Sequence, residues 1–342
     1  MSALAVANLE AGDCTSRAPL SGWRISPTPF RDLDIELGPD FRLGSGEALE
    51  EPVLRIRLQG AAAAPLVVAA GGISAGRKVA DAGHDTGWWR EIVAAGGAIN
   101  LSTHQVLGFD FLPGAETDVK TITPADQARA LAVALDAIGA AKIRAYVGAS
   151  YGGFIGLAFA SLFPERIEKL GVISASARPD PMTTALRGVQ RRIIAFAIEN
   201  GRPEEGVALA RQLAMTTYRS ADEFRERFEA APQGPNAGDN YDVCEYLTSR
   251  GRAYARAMPA ARYITLSDSL DRSNVDPATV TADCFFVGVA SDRLVPAQDT
   301  KETAEAVAGR SQYLQIDSLV GHDAFLCEPD KYSNALRAFV GE

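Results

Sequence analysis

The sequence lacks metal-ligand spacing. Its four cysteines (Cys14, Cys244, Cys284 and Cys327) form no C-x-x-C pair, and its three histidines (His84, His104 and His322) are scattered. No zinc pattern can be assembled from such positions, and the isolated thiols read as reduced and incidental, as in a cytoplasmic protein. Excess positive charge is missing as well. With 34 Lys and Arg against 43 Asp and Glu, the net charge is -9, which disfavours nucleic acid or an anionic membrane as the main partner. An anionic substrate would have to be met by locally placed arginines. Long apolar runs are absent too: "GAAAAPLVVAAGGI" is short, broken by Pro65 and Gly-rich at its end, which suits a buried strand rather than a membrane span. The N-terminus "MSALAVANLEAGDCTSR" has no basic start and is interrupted by Glu10, so no signal peptide is expected. Neither a G-K-[ST] phosphate loop nor a G-x-G-x-x-G turn is present.

What is there is a chain of 342 residues, 47% hydrophobic, ample for one large α/β domain or two smaller ones. Seven segments read as strands: "PVLRIRL", "PLVVAAGG", "HQVLGFDFL", "IRAYVGAS", "KLGVISAS", "CFFVGVAS" and "SQYLQIDS". Several are apolar nearly throughout, as in sheets covered on both faces. Helical patterns lie between them, such as "TPADQARALAVALDAIG", opened by Thr123 and Pro124 and closed by Gly139. Strands alternating with helices predict a mostly parallel sheet. The alternation is suspended over residues 178–275, where the chain reads as helical and predicts a lid over the sheet's carboxyl edge. Residues 1–50 read as an irregular or weakly β lead-in, leaving 51–177 and 276–342 as the α/β core.

In "AYVGASYGGFIGLAFA", Ser150 sits between a strand-like and a helix-like run with almost no linker. This matches the G-x-S-x-G nucleophile elbow, a strained turn that exposes a serine hydroxyl. A serine needs a base, and the base needs an orienting acid. His322 is the one histidine that follows Ser150 in the chain, and Asp292 stands directly after the strand "CFFVGVAS". Asp268, Asp271, Asp276 and Asp299 fall in helical or irregular stretches and are less well placed. His84 and His104 precede the elbow and read as structural or surface residues. Acyl transfer also needs backbone donors for a tetrahedral oxyanion, for which the N–H groups of Tyr151 and Ile73 are the candidates. Gly71 and Gly72 let that second loop approach closely.

The segments "GWWREIVAAGGAINLSTHQVLGFDFL", "VGASYGGFIGLAFA", "LARQLAMTTYRS" and "ASDRLVPAQDTKETAEAV…YLQIDSLVGHDAFL" together resemble the α/β-hydrolase-fold homoserine O-acyltransferases of methionine biosynthesis, over residues 52–340. The resemblance implies an α/β-hydrolase fold, an acyl-CoA co-substrate, L-homoserine as acceptor, no cofactor or metal, and a homodimer formed through the lid. It assigns Ser150, Asp292 and His322 as the triad. Arg211 and Tyr218 match lid residues that help hold homoserine, and Asp323 matches the residue that receives its amino group. A guanidinium can grip a carboxylate through two hydrogen bonds. The elbow reads Ala-Ser-Tyr-Gly-Gly where many members have Gly-Ser-Met-Gly-Gly, and the loop "AAGGISAGRK" lacks the common His-Ala-Leu-Thr-Gly. These features favour a succinyl donor, with acetyl next. A succinyl carboxylate requires a cation, for which Arg77, Arg187 and Arg191 are candidates. Three other readings stay open: a serine O-acyltransferase of the same family, an esterase or thioesterase, and a non-catalytic binding protein.

Overall fold

The computed structural model describes residues 29–114, 118–236, 238 and 240–341. Expectations that fall on residues 1–28 lie outside the described residues. All seven apolar segments form strands. In chain order the strands are β1 (Phe30–Glu36), β2 (Val53–Gly60), β3 (Leu66–Ala70), the two-residue pair β4 (Val93–Ala94) and β5 (Ile99–Asn100), β6 (Gln105–Phe109), β7 (Ile143–Ala149), β8 (Ile167–Ile173), β9 (Asp283–Val289) and β10 (Ser311–Ile316). Eight of them make one sheet in the order β1-β2-β6-β3-β7-β8-β9-β10. It is parallel from β6 to β10 and antiparallel where β1 pairs β2 and β2 pairs β6. Part of the lead-in is thus a strand, in line with its weakly β reading. "FRDLDIE" is an edge strand whose charged residues face solvent, and Arg57 of β2 reaches Asp32 with two hydrogen bonds of 2.7 Å.

The helices are α1 (Pro124–Ala137), α2 (Tyr151–Leu162), α3 (Pro181–Glu199), α4 (Pro203–Tyr218), α5 (Ala221–Arg227), α6 (Asp242–Ala255), α7 (Ala260–Asp271), α8 (Ala297–Ala306), the short α9 (Ala324–Cys327) and α10 (Ser333–Gly341). Helix α1 begins where its chemistry says it should. The Thr123 hydroxyl accepts from the Asp126 N–H, and the Asp126 carboxylate accepts from the Thr123 N–H, a reciprocal cap that satisfies two otherwise orphan donors. Helix α2 is apolar on all sides, and its first ten residues are buried. That pattern belongs to a helix wedged inside the domain rather than lying on it.

Between β8 and β9 the chain forms α3 to α7, which carry a small apolar cluster of their own: Ile194, Val207, Ala210, Tyr254, Met258 and Tyr263. Polar contacts fasten this layer to the sheet domain. The Arg262 guanidinium donates to the carbonyl of Phe111 at 3.2 Å, Ser74 and Tyr254 share a hydroxyl contact of 3.2 Å, and Lys120 N–H donates to Thr265 Oγ1 at 3.0 Å. No helix among the described residues is long and apolar enough to cross a membrane. Cys244 and Cys284 are free thiols.

Candidate active site

Strand β7 delivers Ser150 to the carboxyl edge of the sheet, and α2 begins at the next residue. Ser150 has φ 52° and ψ -123°, a left-handed conformation unusual for a non-glycine residue and a sign of stored strain. Its neighbours explain why it is tolerated. A Cβ on Gly148 would lie 2.2 Å from the Gly152 carbonyl oxygen, and one on Gly152 would lie 2.3 Å from the Ala70 carbonyl oxygen. Only glycine lets the strand, the turn and the first helical turn come this close. The Gly152 N–H is bonded to the Gly71 carbonyl at 2.8 Å, which ties the elbow to the loop after β3.

His322 lies in the loop after β10, and Asp292 in the loop after β9. The His322 Nε2 is 2.8 Å from Ser150 Oγ, and its Nδ1 is 2.7 Å from Asp292 Oδ2. The other Asp292 oxygen, Oδ1, accepts the N–H groups of Leu294 at 2.8 Å and Val295 at 3.0 Å. The carboxylate is thus fixed in orientation as well as position. His322 is 3% exposed. Burial alone would depress its pKa. The adjacent Asp292 charge and hydrogen bond, together with the charge of Asp323, outweigh burial and the opposing charge of Arg187, so the imidazole is raised above its ordinary 6.5. The Tyr218 ring stacks on His322 with centroids 6.0 Å apart.

The loop after β3 passes directly beside the serine: a Cβ on Gly72 would stand 4.0 Å from Ser150 Oγ. The N–H of Tyr151 is at the first position of α2, where no carbonyl of its own helix can accept it. Neither that N–H nor the one of Ile73 has a backbone acceptor among the described residues. Both are therefore available to a charge developing next to Ser150.

These groups open into a cleft enclosing about 690 Å³, part of it open to solvent, between the sheet edge and α3, α4 and α7. Ile73, Ser150, Tyr218, His322 and Asp323 line it. Arg211 does not. Its guanidinium lies one layer back, 4.7 Å from the centre of the Tyr218 ring and 4.4 Å from that of Tyr254. Of the three arginines suggested for an acyl carboxylate, Arg187 is on the cleft wall and Arg191 stands beside it, bonded to Ser267 of the wall at 3.1 Å. Arg77 is excluded. It is held by Asp110, with its N–H on Asp110 Oδ1 at 2.8 Å, and does not line the cleft. His84 is exposed and His104 immediately precedes β6; neither lines the cleft. Among the described residues no group of three or more His, Cys, Asp or Glu side chains is disposed to hold a metal ion.

Some of the site is not legible in the sequence. Asp323 is paired with Arg219, whose Nε is 3.1 Å away. The buried Tyr151 hydroxyl reaches Ser269 of α7 at 2.7 Å and accepts from Gln127 at 3.2 Å, so the Tyr of the elbow links the nucleophile's helix to the lid. Gly321, at φ 78°, brings the His322 loop against the Tyr218 carbonyl, which a Cβ there would meet at 2.7 Å.

Taken together, the arrangement can remove a proton from a serine hydroxyl and hold an oxyanion, in a cleft roofed by helices. A family model for the α/β-hydrolase fold matches residues 70–329. The chain is 40% identical over 281 residues to a homoserine O-succinyltransferase of Xanthomonas campestris, covering 81% of this chain and 76% of that one. It is 32% identical to a homoserine O-acetyltransferase of Thermus thermophilus, covering 74% and 72% of the two chains. Among solved structures, esterase E22 superposes with a TM-score of 0.83 at 17% identity, covering 92% of this chain and all of that one (100%). The homoserine O-acetyltransferase of Bacillus anthracis superposes with a TM-score of 0.83 at 12% identity, covering 93% and 99%. These two superpositions speak for the fold alone. The fold and the sequence relatives agree, and the chain belongs to the homoserine O-acyltransferases of the α/β-hydrolase fold.

Proposed function

We propose that this protein transfers an acyl group, preferentially succinyl, from acyl-CoA to the hydroxyl of L-homoserine, a step of methionine biosynthesis. The observation that carries this reading is the hydrogen-bonded chain Ser150–His322–Asp292 at the floor of a helix-roofed cleft, in a chain whose relatives are named homoserine O-acyltransferases.

In the first half-reaction His322 Nε2 takes the proton of Ser150 Oγ, which attacks the thioester carbonyl. The N–H groups of Tyr151 and Ile73 receive the oxyanion. When the intermediate collapses, CoA leaves with a proton returned by His322, and an acyl-serine remains. In the second, the homoserine hydroxyl gives its proton to His322 and attacks the acyl-serine; Ser150 is regenerated. Ping-pong kinetics follow. Asp323, a buried carboxylate beside His322, suits the acceptor's ammonium. Arg211, stacked on the ring of Tyr218 from behind the cleft wall, holds that tyrosine where it can meet the acceptor. The lid excludes water, which separates transfer from hydrolysis.

Assembly as a homodimer through the lid is supported by α3. Met182, Val189 and Phe196 recur every seven residues and are 69%, 36% and 69% exposed, a stripe suited to pairing with a second helix. The substrates suit the cytoplasm. The test is CoA release from succinyl-CoA and acetyl-CoA with and without L-homoserine. Release that depends on homoserine supports the transferase, whereas equal release without it would make the protein a thioesterase.

A further inference from the structure

Three side chains form a polar chain through the apolar interior just behind the nucleophile. Gln127 of α1, Tyr151 at the start of α2 and Ser269 of the lid helix α7 are all fully buried. Gln127 is held at both ends by Leu112: its Oε1 accepts the Leu112 N–H at 2.9 Å, and its Nε2 donates to the Leu112 carbonyl at 2.7 Å. That settles which end of the amide faces Tyr151, and Nε2 donates to the phenol oxygen at 3.2 Å. The phenol in turn shares a 2.7 Å hydrogen bond with Ser269 Oγ, while its ring meets Phe111 edge to face at 4.9 Å. Burial pushes the phenol up to about 12, so it stays protonated. A serine within a helix ordinarily points to solvent or bonds back to its own helix; Ser269 is buried and reaches out to the core.

Burying polar side chains costs free energy unless each is satisfied. Apolar groups of the same shape would fasten α7 to the sheet domain about as well. What the polar chain adds is direction, since a hydrogen bond fixes the rotation and height of α7 over Ser150. Ser267 and Leu270, on either side of Ser269, line the cleft. Asp271, at the end of α7, accepts from Arg187 and Arg191 of α3 at 2.6 Å each. Two helices of the roof are thus seated on the side chain of the residue whose N–H is the proposed oxyanion donor.

We infer that the Tyr151 hydroxyl, held by Gln127 and bonded to Ser269, is a positioning group that keeps α7 seated over the acyl-serine, so that homoserine rather than water discharges it. This rests on the acyl-transfer reading above and deepens it. In either discharge the acyl–Oγ bond breaks and Ser150 Oγ takes back a proton from His322; water yields the free acid, homoserine its ester.

The test measures CoA release from succinyl-CoA and acetyl-CoA, with and without L-homoserine, in the wild type, Tyr151→Phe, Ser269→Ala and the double variant. A thermal melt accompanies each. Phenylalanine keeps the ring and the backbone N–H and removes only the hydroxyl. The ratio of homoserine-independent to homoserine-dependent release is expected to rise about tenfold in each single variant, the loss of one hydrogen bond. It is expected to rise no further in the double variant, because both single changes break the same bond. An unchanged ratio, with or without a lower melting temperature, would overturn the inference and leave Tyr151 a packing residue. Rises that multiply in the double variant would overturn it too, since the two groups would then act apart. If the wild type released CoA equally without homoserine, the acyl-transfer reading would fall first; a homoserine-dependent wild type with unaltered variants would sink this inference alone.

Discussion

Replacing Asp292 by Asn tests the geometry of the acid more sharply than deleting it, because the two carboxylate oxygens have different work. Oδ1 accepts two backbone N–H groups, from Leu294 and Val295, while Oδ2 faces His322 Nδ1. An amide can accept at one end only. Turning its NH2 toward the two backbone donors would leave both unsatisfied, at about 1–3 kcal/mol each. The Asn oxygen therefore takes the Oδ1 place, and its NH2 donates to His322 Nδ1. That fixes the tautomer with the proton on Nε2, where it points at Ser150 and cannot accept the serine proton. A loss of about 10⁴-fold in kcat is expected, equivalent to about 5.5 kcal/mol of barrier, with the melting temperature shifting far less. The assay is homoserine-dependent CoA release under saturating donor. An Asn variant within tenfold of the wild type would refute the reasoning, since it would mean that the imidazole tautomer is not set by Asp292.

Three further outcomes follow from the same geometry. His322 is raised above 6.5 partly by the charge of Asp323, and its neutral form is the base, so kcat/KM falls as pH drops through that raised value. In Asp323→Asn the acid limb moves to lower pH; a limb that stays put would contradict the assignment. In Gly152→Ala the new methyl meets the Ala70 carbonyl at 2.3 Å, backbone that cannot swing away, so the protein loses about 3 kcal/mol or more, read as a fall in denaturant midpoint. Arg211→Met removes a cation from between two aromatic rings, worth about 2 kcal/mol when desolvated. It is expected to raise the KM for homoserine more than the KM for acyl-CoA, which steady-state kinetics would reveal.

The parts of the site readable from sequence are those with a local grammar. The elbow announces itself because a strand, a glycine-flanked serine and an apolar helix are adjacent in the chain. Asp292 and His322 are readable because each follows a strand, and parallel strands bring their carboxyl ends to one edge. The unreadable parts depend on pairing across the chain. Asp271 looks like an ordinary helical aspartate until α3 brings Arg187 and Arg191 to it from some 80 residues away. Arg77, equally plausible on composition, is held by Asp110, a partner that sequence cannot assign. Asp323 likewise hides its bond to Arg219. Strand β1 is only weakly readable for a different reason: an edge strand with solvent on its faces needs no apolar alternation, so "FRDLDIE" carries a polar pattern instead.

The central claim is that Ser150 carries the acyl group between donor and acceptor. Intact-protein mass spectrometry after mixing with succinyl-CoA in the absence of homoserine tests it most directly. One succinyl group per chain is expected, discharged when homoserine is added and absent in Ser150→Ala, which keeps the helix start intact. An adduct that persists in Ser150→Ala, or one that homoserine fails to discharge, would contradict it.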